Sequence, residues 1–183
     1  MTDRQWRLDE SHGELLLHTG VTGRAARLGH RLTIAMTAWR GEVTWSDDEP
    51  IALDLAVDVE SLQVLGGEGG VKPLSGPEKG LARSNALKSL GAIDYPHIRF
   101  HATDIAKTAG GYRLTGTLEI HGTSEDREVD LHVEDLGDSW RMSCEADVRQ
   151  SDFGVKPYSQ LMGAMKVVDT VTVSFDARYP KNG

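Results

Sequence analysis

Apolar and polar residues alternate with a period of two along most of this chain, the signature of strands that bury one face and wet the other. In one stretch Ile51, Leu53, Leu55, Val57 and Val59 fall on one side, and Ala52, Asp54, Ala56 and Asp58 on the other. The rhythm returns in Leu32, Ile34, Met36 and Ala38, in Tyr112, Leu114, Gly116, Leu118 and Ile120, and in Val129, Leu131 and Val133. It returns again in Trp140, Met142, Cys144, Ala146 and Val148, and in Val171, Val173, Phe175 and Ala177. With shorter candidates at 6–8, 14–19, 43–45 and 98–100, roughly ten strands are predicted.

Turn signals lie close between them. Gly110-Gly111 and Leu136-Gly137-Asp138 read as tight turns, and 122–126 as a longer one, which makes a meander from about 98 to 148. Strands joined in this way, each with one apolar face, pair antiparallel and must hide that face against a second sheet or by closing on themselves. A long up-and-down meander favours closure over a sandwich. The expected fold is therefore all-β, an antiparallel barrel of about eight strands with one or two short helices.

Two segments break the alternation. Ser75, Pro77 and Glu78 form a capping box, and Gly91 closes a helix with Ala82, Ala86, Leu87 and Leu90 on one side, placed to plug or flank one end of the barrel. Before it, 66–70 holds four glycines in five positions and reads as a mobile loop. A second short helix is expected at 23–28, closed by Gly29, with Arg24, Arg27 and Arg31 close together. Neither a repeat nor a linker divides the chain, so 1–183 reads as a single domain.

Composition narrows the function. With 183 residues, 39% hydrophobic and 26% charged, the chain is an ordinary globular one with enough material for a real core. A net charge of −8 repels nucleic acid phosphates, so nucleic acid is not an expected partner. No apolar run approaches the ~20 residues of a transmembrane helix. The opening MTDRQWRLDE lacks the basic start and apolar stretch of a secretory leader, giving a cytoplasmic expectation. Cys144 is the only cysteine, which leaves no internal disulfide and no multi-thiolate zinc site; it reads as a small buried side chain in a strand.

Catalytic patterns are missing. The glycine run does not fit a dinucleotide or phosphate loop, Asp152-Phe153-Gly154 stands without the other kinase motifs, and no G-x-S-x-G elbow occurs. None of the seven histidines forms H-x-x-x-H on a helix, and His97 and His101 stand in one strand. At that spacing they are about 13 Å apart, too far to share a metal. No metal or cofactor is expected. His30, beside Arg24, Arg27 and Arg31, reads either as part of an anion-facing patch at the barrel mouth or as a solvated basic turn. Trp39 and Trp45 read first as core and second as ligand contacts.

Several segments, taken in order, resemble the YceI-like family. They are Trp6-Arg7-Leu8-Asp9, the aliphatic stretch 51–61, Tyr95-Pro96-His97-Ile98-Arg99-Phe100, and Tyr112-Arg113-Leu114-Thr115-Gly116-Thr117-Leu118 leading to His121-Gly122. Ser151-Asp152-Phe153-Gly154-Val155 and the strand at 169–177 complete the set, and the stretch at 23–30 resembles a version from a cytoplasmic-looking branch. The resemblance spans nearly the whole chain. It implies a lipocalin-like antiparallel barrel, and a polyisoprenoid or other lipid-like ligand, since characterised members bind polyisoprenoids.

On this reading the inward wall consists of Ile34, Met36, Leu53, Leu55, Val57, Ile98, Phe100, Leu114, Leu118, Val171, Val173 and Phe175, with Arg24, Arg27, His30 and Arg31 near any anionic head. Such a wall shelters hydrocarbon, at about 0.8 kcal/mol per CH₂ removed from water, and offers nothing for acid–base chemistry. The expected function is non-enzymatic carriage of a long apolar amphiphile. Two alternatives stand beside it: a cyclase- or isomerase-type barrel enzyme with a buried histidine and carboxylate, and a barrel filled by its own side chains that acts through surface contacts, with a homodimer among its partners.

Overall fold

The computed structural model describes residues 3–182. Among these, the strands are β1 (Asp3–Asp9), β2 (Gly13–His18), β3 (Val21–Thr22), β4 (His30–Met36), β5 (Trp39–Ser46), β6 (Glu49–Asp58) and β7 (Leu62–Gly69). The helix α1 (Gly76–Leu90) follows, then β8 (His97–Lys107), β9 (Gly111–Ile120), β10 (Thr123–Asp135) and β11 (Ser139–Arg149). The last are β12 (Ser159–Gln160), β13 (Met165–Val167) and β14 (Thr170–Pro180). Eleven strands form one antiparallel sheet in the order β1-β5-β6-β8-β9-β10-β11-β14-β2-β4-β7, and β12, β13 and β3 form a small second one.

The alternation works as expected: the apolar side of each strand turns inward and the sheet curls strongly around it. Leu8 of β1, Ile34 and Met36 of β4, Trp39 of β5, Val57 of β6, Met142 of β11 and Ala177 of β14 belong to one buried cluster, although these strands are spread across the sheet. Two aromatic contacts bridge the interior. Trp6 of β1 stacks on Tyr179 of β14 with centroids 4.4 Å apart, and Trp39 of β5 meets Phe175 of β14 edge-on at 5.3 Å. Such pairs add to the gain from burial and fix how the two walls face each other.

Closure does not follow. The sheet is a strongly curled half-barrel with β1 and β7 as its edges, and not the expected closed barrel of about eight strands. Bulges between Thr33 and Ile34, Thr44 and Trp45, and Ala102 and Asp104 bend it sharply. Among the described residues no strand pairs with the outer edge of β7. The chain turns into α1, whose Arg83 donates Nε–H to the Leu62 carbonyl at 2.7 Å and Nη2–H to the Glu60 carbonyl at 2.5 Å, so the helix sits where a closing strand would pair.

The helix ends are those the sequence predicts. The Glu78 N–H donates to Ser75 Oγ at 3.3 Å, the Ser75 hydroxyl donates to Glu78 Oε1 at 2.9 Å, and Gly91 closes the helix in the left-handed region at φ 61°. Three local expectations are corrected. The glycine run 66–70 is not a loop: through Gly69 it belongs to β7, with Gly69 opposite His30 and Gly67 opposite Leu32. Its bareness makes room, since a Cβ on Gly70 would lie 2.5 Å from the His30 ring. The helix expected at 23–28 shrinks to one 3₁₀ turn, Ala26–Leu28. The turn expected at 122–126 is a two-residue one, because His121 (φ 54°) and Gly122 (φ 70°) both take the left-handed conformation that matches strand twist, and β10 begins at Thr123.

Gly116 marks one of the close strand approaches, between β8 and β9. A Cβ there would lie 2.2 Å from the His101 carbonyl oxygen and 2.8 Å from the Ala102 Cα, both main-chain atoms that cannot swing aside. Gly116→Ala is expected to lower unfolding stability by about 1–3 kcal/mol, the usual cost of forcing backbone apart, as read from a shift of the urea midpoint. An unchanged midpoint contradicts this account of the β8–β9 contact.

Candidate functional site

A sheet with an apolar face that curls without collapsing leaves space inside. The interior holds a cavity of about 560 Å³, within the range of small-molecule pockets. Its wall includes all twelve aliphatic and aromatic positions expected to point inward, from Ile34 and Met36 of β4 to Val171, Val173 and Phe175 of β14. A barrel filled by its own side chains is therefore not what forms.

Several wall residues escape a reading of strand alternation. One face of α1 contributes Leu81, Ala82, Asn85, Ala86, Ser89 and Leu90, which recur at helical spacing. Ala82, Ala86 and Leu90 were legible as its apolar side, whereas Leu87 packs on the core beside the cavity. The small sheet adds Val21, Gln160, Met165, Lys166 and Val167, and the segment before it adds Phe153, Val155 and Tyr158. These short strands carry no alternation long enough to detect. Trp39, 2% exposed, packs in the core as first expected, and it also lies in the cavity's lining. Its indole N–H and that of Trp45 are buried without a hydrogen-bond partner among the described residues.

Of the four basic residues expected near a ligand head, only His30 reaches the wall. Its Nε2 lies 2.8 Å from the Lys72 carbonyl, so that ring nitrogen carries the proton and donates it. Arg31 points to Glu68, with an N–O distance of 3.6 Å, and Arg24 and Arg27 are exposed outside the wall. Polar residues in the cavity's lining include Glu42, Asp54, Glu78 and Arg127 as well as Lys166, Gln150, Gln160 and Tyr158, where the Gln160 amide donates to the Tyr158 hydroxyl at 3.0 Å.

An acid–base site would show as a histidine with a carboxylate facing the cavity. The pairs among the described residues are His12 with Asp9, His97 with Asp58, and His101 with Asp54, all reaching solvent. His97 and His101 each hold their own aspartate, in line with their separation along β8. No group of three or more metal-ligating side chains gathers among the described residues. Cys144 is partly buried on the wall, and burial pushes its thiol up to about 11.

Residues 6–179 match the family of the YceI-like domain. No curated protein matches the chain. In three dimensions it is similar to Burkholderia cenocepacia BcnA, with a TM-score of 0.69 at 16% identity over 94% of this chain and 99% of that one. It is similar also to the Campylobacter jejuni YCEI protein, at 0.54 and 18% identity over 73% and 74% of the two chains. A mutant CJ YCEI protein crystallised for nanotechnology applications gives 0.61 at 16% identity over 81% and 84%. At such identities the likeness is one of fold.

The position of Cys144 yields a measurement. At pH 8 a thiol of this kind is only about 0.1% thiolate, so its reaction with a maleimide is expected to run at least ~100-fold slower than that of a free cysteine peptide, and to speed up as pH rises toward 11. Free-thiol rates at pH 8 contradict the buried placement.

Proposed function

The chain belongs to the YceI-like family, known for polyisoprenoid-binding barrels, and from this and the cavity we propose that it is a non-enzymatic carrier of a long apolar amphiphile. The observation that carries the reading is the wall itself. A 560 Å³ space lined mainly by Leu, Ile, Val, Met and Phe side chains gains free energy by exchanging water for hydrocarbon, and its few polar groups suit one small polar part of a guest and not a polar body.

The magnitudes are adequate. At about 0.8 kcal/mol per CH₂, ten buried carbons contribute about 8 kcal/mol before the costs of immobilising the guest, enough for useful affinity once those costs are met. The rim residues Lys166, Gln150, Gln160, Tyr158 and His30 give a polar head its partners while the tail lies along the apolar strands. A polyisoprenoid fits this division, as does any single-chain lipid of similar section, and the wall selects by shape and not by hydrogen bonding.

Two measurements test the proposal. Organic extraction of the purified protein followed by mass spectrometry is expected to release a prenyl or fatty compound, and a fluorescent farnesyl probe is expected to bind the emptied protein saturably and to slow labelling of Cys144. Ala146→Trp, which places a large ring on the wall, is expected to weaken the probe at least ~10-fold with folding intact by circular dichroism. Absence of both extractable lipid and probe binding removes the carrier reading.

A further inference from the structure

Three candidates stand outside the interior wall. The exposed His101–Asp54 and His97–Asp58 pairs lie side by side on the outer face of β6 and β8 and bring no third ligand or nucleophile with them. A second hollow of about 280 Å³ near Trp45 is lined by the aromatic and aliphatic side chains that hold β1 to the sheet, and belongs to the core. The third is a surface, and it carries an inference.

Charge and apolarity are distributed unevenly. The acidic residues outnumber the basic ones by eight, and β10, in the middle of the sheet, alone displays Glu125, Asp126, Glu128 and Asp130, all exposed. Around the small sheet the sign reverses: 20–32 holds Arg24, Arg27 and Arg31 and 154–168 holds Lys156 and Lys166, with no aspartate or glutamate in either. The two segments are adjacent, since Lys166 pairs with Thr22 across β13 and β3 and the Ala25 N–H donates to the Ala164 carbonyl at 2.9 Å. Arg24, Arg27 and Lys156 are exposed and form no ion pair among the described residues. Lys166 helps Arg149 hold Asp169 below the usual carboxylate range, behind the larger effect of the Ser151 hydrogen bonds.

Large apolar side chains stand out on the same unit. The turn between β12 and β13 presents Leu161, 56% exposed, and Met162, fully exposed, both at positive φ near 55°, a conformation disfavoured for such residues. Leu28, 46% exposed, also lines the cavity, so it stands where the interior meets solvent. Leu28 and the Leu161–Met162 turn are joined through β13, because Met165 packs against Gly29.

We propose that this unit is a docking surface for an anionic lipid bilayer. Leu161, Met162 and Leu28 enter the headgroup boundary while Arg24, Arg27 and Lys156 meet lipid phosphates. The inference rests on the carrier reading, since docking here sets the Leu28 rim of the cavity against the membrane from which an amphiphile is drawn. Neither contribution suffices alone. A few inserted side chains give weak, reversible binding, and each basic residue near an anionic surface strengthens it about fivefold, which matches a protein that must let go.

Flotation of the protein with phosphatidylcholine vesicles, with and without 40% phosphatidylglycerol, tests the docking. The expected result is binding that depends on phosphatidylglycerol and declines with added salt. Leu161→Asp with Met162→Asp is expected to abolish it, and Arg24→Glu with Arg27→Glu to weaken it at least ~20-fold. The altered side chains are exposed, and both variants are expected to retain farnesyl-probe binding when the probe is added from ethanol without vesicles. Equal flotation on neutral and anionic vesicles, no flotation of the native protein, or wild-type flotation of both variants overturns the proposal. Loss of probe binding by the native protein overturns the carrier reading instead, and the two failures are read from separate assays.

Discussion

The molecule depends on apolar contact across a curled sheet. Eleven strands present one oily face, and the strands that meet over the interior do so through a few large side chains: Trp6 on Tyr179, Trp39 on Phe175, and the buried cluster that joins Leu8, Ile34, Met36 and Ala177. These contacts hold the walls apart as much as together. Indole and phenyl rings meeting edge-on or stacked fix a separation that aliphatic side chains on neighbouring strands do not span, and the cavity is what remains.

The lesser elements follow from that space. An apolar hollow left open to water is unfavourable, so α1 lies along β7 with its Ala82–Ala86–Leu90 stripe inward, and the small sheet β12-β13-β3 brings Val21, Met165 and Val167 to the wall. Glycine placement serves the same geometry. Gly116 lets β8 and β9 approach, and Gly67 and Gly70 clear the space occupied by His30.

Much of this was readable from the chain, and the boundary between what was and was not is physical. Strand faces were legible because the pleat has a period of two and one face is buried, so Leu53, Leu55, Val57, Phe100, Leu114 and Val173 declared their direction. The helix was legible through Ser75, Glu78 and Gly91, whose cap chemistry is local. Closure was not legible, because it depends on whether the two ends of the strand order meet, and no local pattern encodes that. The glycines at 66–70 misled for a related reason: without side chains they carry no alternation, and only pairing with β4 makes them a strand. Arg24 and Arg27 marked a basic stretch, but a lone 3₁₀ turn sets side-chain direction too weakly for the sequence to place them inside or outside.

The unpaired edge has a mechanical consequence. Widening a closed barrel means breaking a ladder of main-chain hydrogen bonds, whereas here the lateral seal beside β7 is a helix held by the packing of Ala82, Ala86, Leu87 and Leu90 and by two bonds of one guanidinium, Arg83 to Leu62 and Glu60. Displacing α1 would cost these contacts while leaving every strand pairing intact.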